Sequence, residues 1–356
     1  MKKEKEIKRS FGLDLVRTVA IIFVVMVHSF GNTLFNGKPM VGMSMFSCLA
    51  IKWLTFTCVA LFIILTGYCK GDKKVNNNHY KKIISIIITY IVISIITIVF
   101  KKAILKDTTS FYNLILGIFN FSTIPYAWYV EMYIGLFLLI PFLNILYKNI
   151  PNKNEKRILL ISIIFICSIP QSLAMLYVSG HSLDIFPSWW GNLYPLMFYF
   201  IGCYIKEYQI NIKKIINIFF IAVILFIETF MIYFYCQGKP INDVISPDYN
   251  FVPNVLLSIL LFLLLYNIDI KNKFLIKLTY LISKYSFGMY LISFIFDKLF
   301  YEVIKLNFGI KFKPIAGIVV YTPIICISSF IATFVIEFII SKIINLSCRK
   351  KNKNFS

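Results

Sequence analysis

Acidic side chains are scarce in this 356-residue chain: 16 Asp and Glu stand against 37 Lys and Arg, and all charged residues together make up 15%. A soluble domain carries about 25% charged residues. The shortage, with 59% hydrophobic residues and a mean hydropathy of +0.78, excludes that class. Histidine is rarer still, with only His28, His79 and His181. The eight cysteines are scattered and include no C-x-x-C pair, so neither a metal site nor a disulfide framework is expected. No internal repeat and no polar domain interrupts the pattern. The first apolar segment lacks a small-residue cleavage site, which argues against a removable signal peptide. The net charge of +21 would suit a nucleic acid, but the lysines fall between apolar runs, so no nucleic-acid partner is expected.

What the chain has in abundance is apolar runs of about 18 residues or more, each long enough to cross a bilayer core of roughly 30 Å. They predict an all-α polytopic membrane bundle of about ten transmembrane helices. The spans fall near 13–35, 51–69, 83–100, 126–147, 158–176, 190–205, 215–236, 251–267, 286–304 and 314–340. Segment 111–122 reads as a short interfacial helix. "IDIKNKFLIKLTYLISKY" (268–285) alternates lysines with large apolar residues, as a helix lying on the inner membrane face does. Lys and Arg set the orientation: 26 fall on the side of the termini and 10 on the other, with Arg17 inside a span. Both termini are therefore expected in the cytoplasm, although Lys101, Lys102 and Lys106 form a local exception. Residues 1–345 are expected to form one transmembrane domain and 346–356 a basic cytoplasmic tail.

Few polar groups enter the spans, and two share the first one, "GLDLVRTVAIIFVVMVHSF" (12–30). Arg17 and His28 are eleven residues apart, which on a helix brings them within about 20° of one face and separates them by roughly 16 Å. Asp14, three residues before Arg17, lies on nearly the same face. Of the four arginines, Arg9, Arg157 and Arg349 sit in segments where lysine would serve equally. Arg17 begins a span, and its guanidinium fork binds carboxylates and phosphates two-handed. The alternative is an arginine that snorkels to the headgroups. An imidazole in the bilayer is costly, and its titration range suits general acid–base work; the alternative is a hydrogen-bonded packing histidine. In "STIPYAWYVEMYIGLFLLIPFLN" (122–144), Glu131 is flanked by Trp128, Tyr129 and Tyr133 at the depth expected of His28. There it would orient the imidazole as the acidic member of a triad does, or else belong to an interfacial aromatic belt. Asp297, Glu228 and Glu337 form no spaced motif.

Four stretches resemble the acyltransferase-3 membrane proteins, a family that includes bacterial O-acetyltransferases of cell-surface polysaccharides. "LDLVRTVAIIFVVMVHSF" is similar to the family's first span, with an arginine, ten residues and a histidine, here Arg17 and His28. "HYKKIISIIITYIV" (79–92) resembles the basic entrance to the third span. "AWYVEMYIGLFLLIPFLN" (127–144) places Glu131 at the family's acidic position, and "ISKYSFGMYLISF" (282–294) resembles the penultimate span. Two departures stand out. Many members carry two arginines where this chain has Lys81 and Lys82, and a histidine where it has Ser293.

The resemblance implies an enzyme of the bacterial plasma membrane. It would transfer an acyl group, usually acetyl, from cytoplasmic acyl-coenzyme A to a hydroxyl of a cell-surface or extracellular glycan, with no bound cofactor. Its catalytic residues would be His28, Glu131 and Arg17. Arg17, Asp14, Lys73, Lys74, Lys81 and Lys82 would serve the donor, whose phosphates cations can hold. Trp128, Tyr129, Tyr133 and the Trp189 and Trp190 of "FPSWWGNLY" (186–194) would stack on the acceptor's sugar rings. The rival is a transporter or flippase for a polysaccharide or lipid-linked intermediate, because polar stripes in a bundle also describe a pathway. The missing repeat symmetry and the lack of broken half-helices weigh against it.

Overall fold

The computed structural model describes residues 10–174, 186–241, 249–304 and 317–353. The first nine residues with their lysines, the connections at 175–185 and 242–248, and Lys305, Lys311 and Lys313 lie outside the described residues.

Apart from the turns and connections between them and one isolated bridge between Pro39 and Pro240, the elements of the described residues are all helices. The helices are α1 (Phe11–Asn32), α2 (Met43–Phe56), α3 (Cys58–Lys70), α4 (Asn77–Lys81), α5 (Ile83–Ala103), α6 (Phe111–Phe119) and α7 (Trp128–Asn149). They continue with α8 (Lys153–Ala174), α9 (Tyr194–Tyr208), α10 (Lys214–Cys236), α11 (Val252–Leu265), α12 (Lys273–Lys298) and α13 (Thr322–Lys353). Wider turns cover Leu299–Ile304 and Gly317–Tyr321.

Six stretches among the described residues combine the length and hydropathy needed to cross a bilayer: α1, α2 with α3, α4 with α5, α7, α10 and Ile318–Ile339. The protein is thus a multi-pass membrane bundle. The other four expected spans are helical as well, but α9 and α11 are shorter and α8 and α12 more polar. Two local expectations need correction. Residues 273–285 are not a separate surface helix, because α12 runs unbroken from Lys273 to Lys298. It begins where the Asn272 side chain accepts hydrogen bonds from the amides of Phe274 and Leu275. The second span is two helices rather than one, interrupted at Thr57, whose hydroxyl donates to the Leu54 carbonyl at 2.8 Å. α13 continues to Lys353, through most of the expected basic tail.

Outward faces of α5, α10 and α13 carry Ile95, Val99, Phe226, Phe230, Ile331 and Phe334, all exposed as a lipid-facing surface requires. α1 sits at the centre, against α2, α3, α11, α12 and α13. It runs parallel to α12, and polar side chains fix their register. Ser283 donates to Asp14 at 2.6 Å, Thr18 donates to the Thr279 carbonyl at 3.2 Å, and Ser29 pairs with Tyr301 at 2.8 Å. α3 and α9 approach closely at two glycines: a side chain on Gly67 would run into the Tyr199 carbonyl, and one on Gly202 into that of Ile64. Asn144 of α7 ties the end of α3 in place. Its amide donates to the carbonyls of Lys70 and Lys73 at 2.9 and 2.8 Å, and its carbonyl accepts from Tyr199 at 2.7 Å.

Candidate active site

Between α1, α3, α5, α7 and α12 lies a cavity of about 850 Å³. One face of α1 contributes Arg17, Val24 and His28, at steps of seven and four residues. α3 contributes Cys58, Phe62, Leu65 and Cys69 at the same helical spacing, so the walls are mainly apolar. Arg17 and His28 therefore open into one space.

At the Arg17 end, one guanidinium nitrogen donates to Ser283 at 2.7 Å and stands 3.7 Å from Asp14. Asp14 is buried and holds Ser283 in turn. The remaining guanidinium face is left toward the cavity. Lys70 lines the same end, donating to the Tyr133 hydroxyl at 2.8 Å with its ammonium 4.3 Å from the Phe137 ring centre. Lys81 completes a set of three cations, against one lining carboxylate, Glu337.

At the other end, His28 stacks on Tyr126 with ring centres 3.5 Å apart and planes 18° from parallel. Tyr126 donates to Asp297 Oδ2 at 2.7 Å, and that oxygen is 3.8 Å from His28 Nδ1. Asp297 is wholly buried. Aromatic rings wall this end: Trp128 stacks on Tyr249 at 5.5 Å, Tyr249 on Phe56 at 4.5 Å, and Tyr129 meets Tyr290 edge-on.

The residues singled out in the sequence divide clearly. Arg17, His28, Lys81, Trp128, Tyr129 and Tyr133 line the cavity. Asp14 lies behind Arg17 and orients it. Lys73, Lys74 and Lys82 are exposed and line no part of the cavity. Trp189 and Trp190 also stand apart from it, stacked on each other at 4.4 Å. The expected pairing of Glu131 with His28 is corrected: Glu131 is exposed and does not line the cavity, and the carboxylate beside His28 is Asp297. The reason is helical geometry. Glu131 is two residues from both Tyr129 and Tyr133, so it points to the opposite side of α7 from the rings that face the cavity. Sequence reasoning also passed over Tyr126, Ser283 and Tyr249. Asp297 carried a usable signal, since Ser286, Tyr290, Ser293 and Asp297 form a polar stripe at helical spacing along an apolar helix.

A family model described as an acyltransferase domain matches residues 10–337, nearly the whole bundle. The chain belongs to the acyltransferase-3 family. No curated relative and no solved structure matches it. For an acyltransferase-3 protein the cavity has a chemical logic: cations at one end, an imidazole at the other, and an apolar passage between. Such a space can hold an anionic group at its cationic end and keep bulk water from chemistry at the imidazole.

Proposed function

We propose that this membrane acyltransferase moves an acyl group, acetyl in the commonest case, from cytoplasmic acyl-coenzyme A to a hydroxyl of a cell-surface or extracellular glycan. The supporting observation is that Arg17 and His28 lie on one helix and open into one cavity. Both termini are cytoplasmic in this reading, so the Arg17 end receives the donor. Arg17, Lys70 and Lys81 hold the donor's phosphates, the guanidinium two-handed and the ammoniums by charge. The pantetheine arm lies along Leu65 and Phe62, and the thioester reaches His28.

There His28 acts as general base. It takes the proton of the acceptor hydroxyl as that oxygen attacks the thioester carbonyl. Collapse of the tetrahedral intermediate breaks the C–S bond, and the leaving thiolate takes the proton back from the imidazolium. The products are an ester and free coenzyme A. Trp128 and Tyr129 offer faces on which a sugar ring can stack.

The test is acyl transfer in membrane vesicles. His28→Ala should lower turnover of acyl-coenzyme A by about 10²- to 10⁴-fold while leaving the protein's level in the membrane unchanged. Retained activity removes His28 from the chemistry. A wild-type protein that neither transfers nor hydrolyses the acyl group of acyl-coenzyme A refutes the reading altogether.

A further inference from the structure

His28 and Asp297 each leave a buried polar atom without a partner. His28 Nδ1 has no hydrogen bond, and neither does Asp297 Oδ1, although both are shut away from solvent. A buried carboxylate is expensive unless hydrogen bonds or a counter-charge compensate it. Asp297 has one such bond, from Tyr126. Among the described residues no lysine or arginine forms an ion pair with it. Lys298, next in sequence, is committed to Glu302, and Lys101 of α5 lies over the far ring of Phe294. Tyr301 and Cys326 also face it, as neutral groups. The basic group that Asp297 meets is His28, with 3.8 Å between Oδ2 and Nδ1.

We infer that Asp297, held by Tyr126, is a positioning residue that fixes the tautomer of His28 and supports its positive charge during acyl transfer. The gap exceeds a normal hydrogen bond by less than 1 Å. Stacking on Tyr126 forbids a tilt of the imidazole but lets it slide in its own plane, and a slide toward Oδ2 closes the bond. With the proton held at Nδ1, the lone pair of Nε2 is left for the cavity. When Nε2 takes the acceptor's proton, the ring becomes a cation beside the Asp297 carboxylate. Tyr126 and Asp297 line no part of the cavity, so neither touches substrate. They form the second layer that holds the reacting group in place.

The inference rests on the proposed transferase reading, and full-length variants in vesicles separate the two. Asp297→Asn should lower kcat by about 10²- to 10⁴-fold, with the KM for acyl-coenzyme A within about twofold of wild type. The acid limb of its pH–rate profile should move to lower pH, because an imidazolium without its counter-charge is harder to form. Asp297→Glu should restore part of kcat. If Asp297→Asn fails to accumulate, Tyr126→Phe reads the same arrangement: a lower kcat at unchanged KM supports it, and wild-type kinetics overturn it. Wild-type kcat in Asp297→Asn, or a loss of kcat with an unmoved acid limb, overturns the inference. An active His28→Ala would also overturn the inference, since Asp297 acts through His28, whereas a wild-type protein inert toward acyl-coenzyme A would overturn the transferase reading beneath it.

Discussion

His28 and Asp297 stand 269 positions apart along the chain, the same interval that separates Asp14 from Ser283, because α1 and α12 run parallel and in register. Each helix therefore carries two polar stations 14 residues apart, about 21 Å along the axis. One pair of stations orients the guanidinium and the other faces the imidazole. The two ends of the cavity are set by the same pair of helices.

The first station predicts how Arg17 behaves. Arg17→Ala should raise the KM for acyl-coenzyme A by about 10-fold or more, the loss of one charge-assisted bidentate contact, with a smaller change in kcat. Arg17→Lys should not recover it. An ammonium cannot hold Ser283 while presenting two parallel donors to a phosphate. Steady-state kinetics in vesicles measure the split, and full recovery by lysine would show that charge alone matters here.

Glu131→Gln should keep turnover within about twofold of wild type, the range of an exposed substitution away from the chemistry. Its side chain leaves α7 on the face opposite Tyr129 and Tyr133. A loss comparable with that of His28→Ala would mean that Glu131 serves the reaction by a route the cavity does not reveal.

Gly67→Ala and Gly202→Ala should each destabilise the bundle by about 3 kcal/mol or more, the upper range of overpacking, since backbone blocks the added methyl in both. Thermal unfolding in detergent and the amount of protein recovered from membranes give the readout. Gly135→Ala is the control, because nothing lies within 4 Å of a side chain there.

Asp72, in the connection after α3, predicts a pH effect. Partial burial pushes its carboxyl up, and Lys206 and Lys148 more than offset this, so it titrates below the ordinary value of 3.8. Its stabilisation is complete above that value and disappears as the pH falls through the lower folded-state value. The pairs are exposed, so the effect is small. Asp72→Asn should lower the melting temperature by about 1–3 °C at pH 7 and leave it unchanged in strong acid.

Much of this was legible in the sequence. Hydropathy predicts the bundle, and the eleven-residue interval alone places Arg17 and His28 on one face of α1. Glu131 misled because its neighbours were read as a cluster, whereas residues two apart on a helix point to opposite sides. Asp297 shows no pairing in the sequence because its partners, His28 and Tyr126, lie 269 and 171 positions away, and only the packing of the bundle brings them together. Charge could not say which lysines matter. Lys70 and Lys81 line the cavity, and Lys73, Lys74 and Lys82, a few residues from them, do not.

α1 has no proline and no break between Arg17 and His28. In the proposed reaction the anchoring point and the reacting point are thus cast in one piece, like the jaws of a fixed gauge, and neither can travel to meet a ligand of the wrong length. A thioester on a carrier shorter than the interval reaches one jaw or the other. Such a substrate loses the anchor whenever it reaches the imidazole, so selection by carrier length would need no lid and no moving domain.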